Sequence, residues 1–142
     1  MSSIVQLDNE YFVAPQVLEK ELRELKAQGF EQIINNRPDG ESEEQPFGES
    51  IRLQAEALGL GYINNPVDLS KLFKEQVDTQ KEALLTGKKT LAFCRTGTRS
   101  SVLWVLLEND KGNDYEELVS MVSGKGFDLS RCMNAMAPLV QG

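Results

Sequence analysis

Thr90-Leu91-Ala92-Phe93-Cys94-Arg95-Thr96-Gly97-Thr98-Arg99-Ser100 decides the reading of this chain. An apolar run ending at Phe93 leads straight into a polar loop, and an apolar helix over Ser101 to Leu107 leads straight out. Strand, tight loop and helix in that order form an anion cradle. The amides of a loop that opens a helix converge on one point, where the positive end of the helix dipole also lies. A thiol beside a helix N-terminus and an arginine loses its proton more readily than a free cysteine with a pKa of about 8.5, and the thiolate is the nucleophile. Cys94, at the rim of the cradle, is therefore predicted to be catalytic. Gly97 permits a positive φ in mid-loop, Arg99 supplies a fork of donors matched to a tetrahedral oxyanion, and Ser100 offers a hydroxyl at the helix start. A buried cysteine that merely ends a core strand needs none of these together. Arg95 is read as lending its amide to the cradle while its side chain points outward, and Thr96 and Thr98 as contributing mainly backbone N–H groups.

Working outward, the 142 residues with 40% hydrophobic content suffice for one buried core, and a single catalytic domain over residues 1–142 is expected. No apolar run is long enough to cross a bilayer, and Met1 to Asn9 has neither the basic start nor the apolar centre of a signal peptide, so a cytoplasmic location is expected. Two cysteines, Cys94 and Cys132, make no disulfide framework. Cys132 is read as buried on an apolar face of the last helix, with a resolving-thiol role as its rival. The chain has no histidine, which removes Cys-His and Ser-His-Asp mechanisms and the usual zinc sites. The net charge of −7 argues against nucleic acid and against anionic membranes as partners.

The elements alternate as expected for an α/β fold with a mostly parallel central sheet flanked by helices. Strands are predicted at Ile4 to Leu7, Tyr11 to Val13, Phe30 to Ile34, Tyr62 to Asn64 and up to Phe93. Helices are predicted from Pro15 to Gly29, Ser50 to Leu58, Leu69 to Leu85, Ser101 to Leu107, Tyr115 to Val122 and Leu129 to Val140. Asn36 to Gly48 reads as a loop, and its acidic run Glu41 to Glu44 as a solvated surface. Trp104, Leu103 and Leu106 read as helix core, and Met121, Met133 and Met136 as packing.

Ligands of such sheets bind beyond the carboxyl ends of the strands. That rule selects Asn35 to Asp39, Asn65 to Asp68 and the Cys94 loop. Arg37 is a candidate for added positive charge, or else a lone surface arginine. Asp39 lies in Arg37-Pro38-Asp39-Gly40, which also makes an ordinary type I turn. Asp68 stands where an Asp caps the helix starting at Leu69.

At the Cys94 loop the chain resembles the cysteine-dependent phosphatase and rhodanese group. Protein-tyrosine and dual-specificity phosphatases carry five residues between Cys and Arg, whereas here four intervene, as in many rhodanese sulfurtransferases. The wider pattern, GFEQIINNRPDGE at 29–41, LGLGYINNPVD at 58–68 and LAFCRTGTRSSVLW at 91–104, resembles the small bacterial phosphatase-like domain also found attached to metallo-β-lactamase-like hydrolases. The resemblance implies a protein-tyrosine/dual-specificity phosphatase-like fold and a small anionic substrate. It makes Asp68 the general acid, with Asp39 as a rival, and gives the Ser100 hydroxyl the task of helping the Cys94 thiolate leave. Three activities follow from it: phosphoester hydrolysis through a phosphocysteine, sulfur transfer from a sulfane-sulfur donor through a Cys94 persulfide, or anion binding without turnover. Neither mechanism requires a metal or an organic cofactor.

Overall fold

The computed structural model describes residues 3–142. Five strands form one sheet in the order β1 (Val5–Gln6), β2 (Tyr11–Ala14), β5 (Thr90–Phe93), β3 (Gln32–Asn35), β4 (Gly61–Asn64). Only β1 is antiparallel to its neighbour; the other pairs are parallel. β3 and β5 are buried at every position, as parallel strands covered on both faces must be. Alternation along the strands then sorts the side chains. Ile33, Leu91 and Phe93 face α1 (Leu22–Ala27) and α2 (Gly48–Ala57) through Leu22, Leu25, Ile51 and Ala55. Val13, Ile34 and Ala92 face the opposite layer, built from α3 (Lys74–Leu84), α4 (Thr98–Asp110), α5 (Tyr115–Gly124) and α6 (Met133–Met136).

α4 is the axle of that second layer. It is buried at every residue from Ser100 to Leu107, because α3 and α5 flank it and the sheet lies beneath it. Burial of each large apolar side chain there contributes roughly 1.5–3 kcal/mol. Trp104 is tied at its polar end, where the indole N–H donates to Asp8 at 2.9 Å. Met121 and Met133, expected as packing, are exposed, and only Met136 is buried.

Three predicted helices are shorter than their apolar spacing suggested. Pro15 to Leu18 is not helical: the Gln16 amide donates to the Arg95 carbonyl at 3.4 Å, so this segment runs beside the cysteine loop before a 3-10 turn at Glu19–Glu21. The helix expected from Leu69 breaks at Leu72 and Phe73, both extended, and restarts at Lys74, where the Gln76 side chain accepts from the Phe73 amide at 2.8 Å. The tail is broken into a 3-10 turn at Ser130–Cys132, α6 and a second turn at Ala137–Leu139 that contains Pro138. Conversely, α4 outruns its predicted span at both ends, and the first strand shrinks to two residues.

Candidate active site

β5 lies between β2 and β3, so the loop that follows it opens at the middle of the sheet's carboxyl edge. Cys94 is fully buried, and its amide donates to the Ala14 carbonyl at 3.4 Å. Arg95 and Thr96 are exposed, as expected of a loop that points side chains outward. Gly97 has φ +94°, and a Cβ placed on it would lie 3.0 Å from the Phe127 ring, so both conformation and space require glycine there. Its amide donates to Cys94 Sγ at 3.1 Å. α4 begins at the next residue, and a helix leaves its first-turn N–H groups without intrahelical acceptors, so sulfur, open amides and the positive dipole end share one place.

Arg99, from the first turn of α4, is held by two other loops. Its Nη1 and Nη2 donate to the two carboxylate oxygens of Glu41, each at 2.7 Å, and Nη1 also donates to the Val67 carbonyl at 2.9 Å. A guanidinium has five N–H donors, and these contacts leave the edge formed by Nε and the second Nη2 hydrogen. That edge can grip one oxyanion through two parallel bonds. Glu41 raises the Arg99 pKa first, and the charge of Cys94 adds to it. Reciprocally, the hydrogen bond from Arg99 holds the Glu41 carboxyl below its ordinary value, with a further contribution from Arg37.

Glu41 adds to the reading of Glu41 to Glu44 as solvated surface: all four residues are exposed, and Glu41 is in addition the joint between two arginines. Arg37 is only 5% exposed; its Nε donates to Glu41 at 3.0 Å and its Nη1 to Gln16 at 3.0 Å. It is a buried support of the site rather than a surface cation. No local pattern marks Glu41, because Arg99 lies 58 residues away; the Pro38-Asp39-Gly40 bend that returns the chain is the one hint.

The two candidate acids differ in what they hold. Asp68 is exposed and caps the 3-10 turn Leu69–Lys71, its Oδ1 accepting from the Ser70 amide at 2.9 Å and the Ser70 hydroxyl at 2.7 Å. Those bonds lower its pKa, with Lys71 and Arg99 contributing, and it directly follows Val67, the carbonyl partner of Arg99. Asp39 Oδ1 accepts from the Gly48 amide at 2.8 Å and so anchors the start of α2.

Beneath the loop lies a closed set of buried polar side chains, of which the strand-end rule selects Asn36 and Asn65 and the loop reading Ser100, while Tyr11 and Gln80 carry no sequence signal. Ser100 Oγ donates to Asn36 Oδ1 at 2.8 Å, and Asn36, Gln80, Asn65 and Tyr11 bond one another. Burial pushes the Tyr11 phenol far above its ordinary range. Every buried side-chain polar atom among the described residues has a partner. Cys132 is buried too, and burial first, then the charge of Cys94, pushes its thiol up. Among the described residues no three His, Cys, Asp or Glu side chains gather as a metal site, and no helix is long and apolar enough to cross a membrane.

A buried cysteine at the end of a central parallel strand, an amide on its sulfur and an arginine from the following helix define the cysteine-dependent phosphatase class, and the fold agrees with it. The chain belongs to the family described as beta-lactamase hydrolase-like protein, phosphatase-like domain, whose model matches residues 4–110. A beta-lactamase hydrolase-like protein of Xylella fastidiosa is 29% identical over 132 residues; the match takes in 92% of this chain but 31% of that relative, so the chain spans about a third of its length. The crystal structure of a protein from Neisseria meningitidis, described as a candidate phosphatase, is 32% identical with a TM-score of 0.78, covering 93% of this chain and 97% of that one. TpbA of Pseudomonas aeruginosa, crystallised in complex with pTyr, shares the fold at 11% identity and a TM-score of 0.70, covering 99% of this chain and 83% of that one. The domain is thus a cysteine-based hydrolase of the phosphatase type.

Proposed function

We propose that this domain hydrolyses phosphoesters, with Cys94 as nucleophile and Arg99 as the oxyanion clamp. The observation that carries this reading is the sulfur of Cys94 receiving the Gly97 amide at 3.1 Å beside an arginine whose outer edge is fixed by Glu41 and Val67. Cys94 Sγ attacks phosphorus in line, the bond to the leaving oxygen breaks, and that oxygen takes a proton from Asp68 or from water. The amides of Arg95, Thr96, Gly97 and Thr98 and the free edge of Arg99 hold the other phosphoryl oxygens. Water then attacks the phosphocysteine, giving its proton to Asp68, and the thiolate returns to the Gly97 amide. Arg37 acts through Glu41, and Asp39 supports the loop that carries it.

Asp68, with its lowered pKa, is a carboxylate at neutral pH and carries a proton only in acid, so proton donation to the leaving group is an acid-side event. Steady-state hydrolysis of a phenyl phosphate, whose leaving oxygen needs a proton, and of a nitrophenyl phosphate, whose leaving oxygen does not, tests this role. Asp68→Asn is expected to slow the first by about 10²-fold and the second far less. Equal effects on both would remove Asp68 from the leaving-group step.

The loop with four intervening residues favours one second reading. It aims fewer amides at a phosphoryl group than a longer loop, which suits a Cys94 persulfide formed from a sulfane-sulfur donor such as thiosulfate. A catalytic thiol that must stay reduced supports a cytoplasmic setting. The −7 charge argues against nucleic acid and anionic membranes as partners, and the Arg99 edge and the loop amides are what would draw a small anionic phosphoester.

A further inference from the structure

Gly97 sits in a notch made by two segments distant from it in sequence. The side on which a Cβ would stand faces Cε1 and Cζ of Phe127, at 3.0 and 3.2 Å from that position, and the carbonyl carbon of Ala14, at 3.6 Å. Ala14 ends β2, and its carbonyl accepts the Cys94 amide at 3.4 Å, so the nucleophile and the amide that faces it are both placed against one residue. Phe127 forms the rest of the notch, and its own position is set by the end of α5. The Phe127 amide donates to the Val122 carbonyl at 2.9 Å and the Gly126 amide to the Ser123 carbonyl at 3.0 Å, the paired bonds of a Schellman motif with Gly126 at φ +105°. That ending folds the residue after the glycine back toward the helix, and Val122 and Phe127 are buried in one core.

We infer that Phe127 is a positioning residue for Cys94: its ring seats Gly97 so that the Gly97 N–H stays on the sulfur. This role rests on the phosphoryl-transfer reading above and deepens it by naming what holds the amide that receives the thiolate. Glycine has the widest backbone freedom of any residue, so φ +94° is allowed at Gly97 without being enforced by it. The Gly97 carbonyl is held by the Ser101 amide at 3.0 Å and the Ser101 hydroxyl at 2.9 Å, while the N–H donates to the sulfur at 3.1 Å. A hydrogen bond weakens steeply as its angle closes, so a small shift of the α-carbon into an emptied notch would cost the sulfur its donor. Phe127 is buried, and the ring fills that space. The segment after α5 thus completes a loop that is otherwise contiguous in sequence.

Phe127→Leu keeps the inner part of the side chain but lacks the Cε1 and Cζ atoms that meet Gly97, and Phe127→Met has a chain long enough to reach there again. Iodoacetate is an anion that the loop must hold beside the sulfur, whereas iodoacetamide is neutral. Both alkylate the same thiolate, so the ratio of their rates at Cys94, separated from Cys132 by peptide mass, reports the geometry of the loop. In Phe127→Leu that ratio is expected to fall about 10-fold, and kcat for an aryl phosphate with it, as a displacement of less than about 1 Å implies. Phe127→Met should stay within about threefold of wild type in both. Leu129→Ala, which thins the same core but does not line the notch, should lower the thermal midpoint and leave the ratio unchanged. A Phe127→Leu ratio within about twofold of wild type would overturn the inference. So would a fall in Leu129→Ala as large as in Phe127→Leu, since that would make the effect one of core stability. A wild-type enzyme that forms no phosphocysteine with an aryl phosphate would defeat the phosphatase reading alone, and the alkylation ratio, which needs no phosphoryl transfer, would still judge the seat of Gly97.

Discussion

The floor and the rim of this site are built on different principles. The floor, made by Tyr11, Asn36, Asn65, Gln80 and Ser100, is buried, neutral and fully paired, and it joins β2, α3 and the loops after β3 and β4 to the first turn of α4. The rim, made by Arg37, Glu41, Asp68 and Arg99, is charged and partly open to solvent, and each of its groups has a partner on another loop or a near neighbour in sequence. A neutral floor fixes geometry without adding a charge that would shift the nucleophile, while the rim supplies the charges that must meet an anion. The floor should therefore govern stability and the rim activity.

The largest expected effect breaks the rim. Arg99→Lys keeps the charge but loses the planar fork and its bidentate grip, and kcat/KM for an aryl phosphate should fall by about 10²–10³-fold with little change in thermal midpoint. Steady-state kinetics beside a melting curve check both halves. Glu41→Gln comes next. It keeps one acceptor for Arg99 but removes the charge, so the free edge of the guanidinium is less well aimed. A displacement of about 1 Å costs around 10²-fold, so a loss of about 10-fold in kcat is expected for a smaller shift. A Glu41→Gln enzyme as fast as wild type would make Glu41 a bystander.

The floor is broken by Gln80→Leu, which removes donors and acceptors from Tyr11, Asn36 and Asn65 together. Each buried group left without a partner costs about 1–3 kcal/mol, so chemical denaturation should show a loss of at least that size. Activity per folded molecule should fall less than in Arg99→Lys. The smallest effect is the pH dependence of the Glu41 joint. The folded pKa of Glu41 lies below the ordinary 4.5, so its contribution to stability is present above that value. It should disappear as pH falls through the lower folded value. Comparing Glu41→Gln with wild type across the acid range should give stability curves that converge in acid, and curves that stay parallel would contradict the assignment.

The same division explains what was legible in the sequence. The Cys94 loop could be read because strand, glycine, arginine and helix start are contiguous, and the structure places each where that order requires. The strand-end rule brings Asn36 and Asn65 to the site, but the pairings of Glu41 and of the floor could not be read, because Glu41 meets Arg99 across 58 residues, Asn36 meets Ser100 across 64 and Tyr11 meets Ser100 across 89. In sequence, Tyr11 looks like any strand aromatic and Gln80 like any polar residue on a helix. Helix lengths failed where chain geometry overrode apolar spacing: Pro15 to Leu18 is pinned beside Arg95, and Leu72 and Phe73 turn the chain into α3. Asp68 is a cap, as its place before Leu69 predicts, and its candidacy as the acid rests on the resemblance to dual-specificity phosphatases and its place after β4.

The central claim is that Cys94 carries the phosphoryl group. Intact-mass analysis of the protein quenched shortly after mixing with an aryl phosphate, with a parallel sample in thiosulfate and Cys94→Ser as the blank, tests it directly. The account predicts a phosphoryl adduct on the wild type that is absent from Cys94→Ser. A single added sulfur with thiosulfate, and no adduct with the aryl phosphate, would contradict it and make the domain a sulfurtransferase.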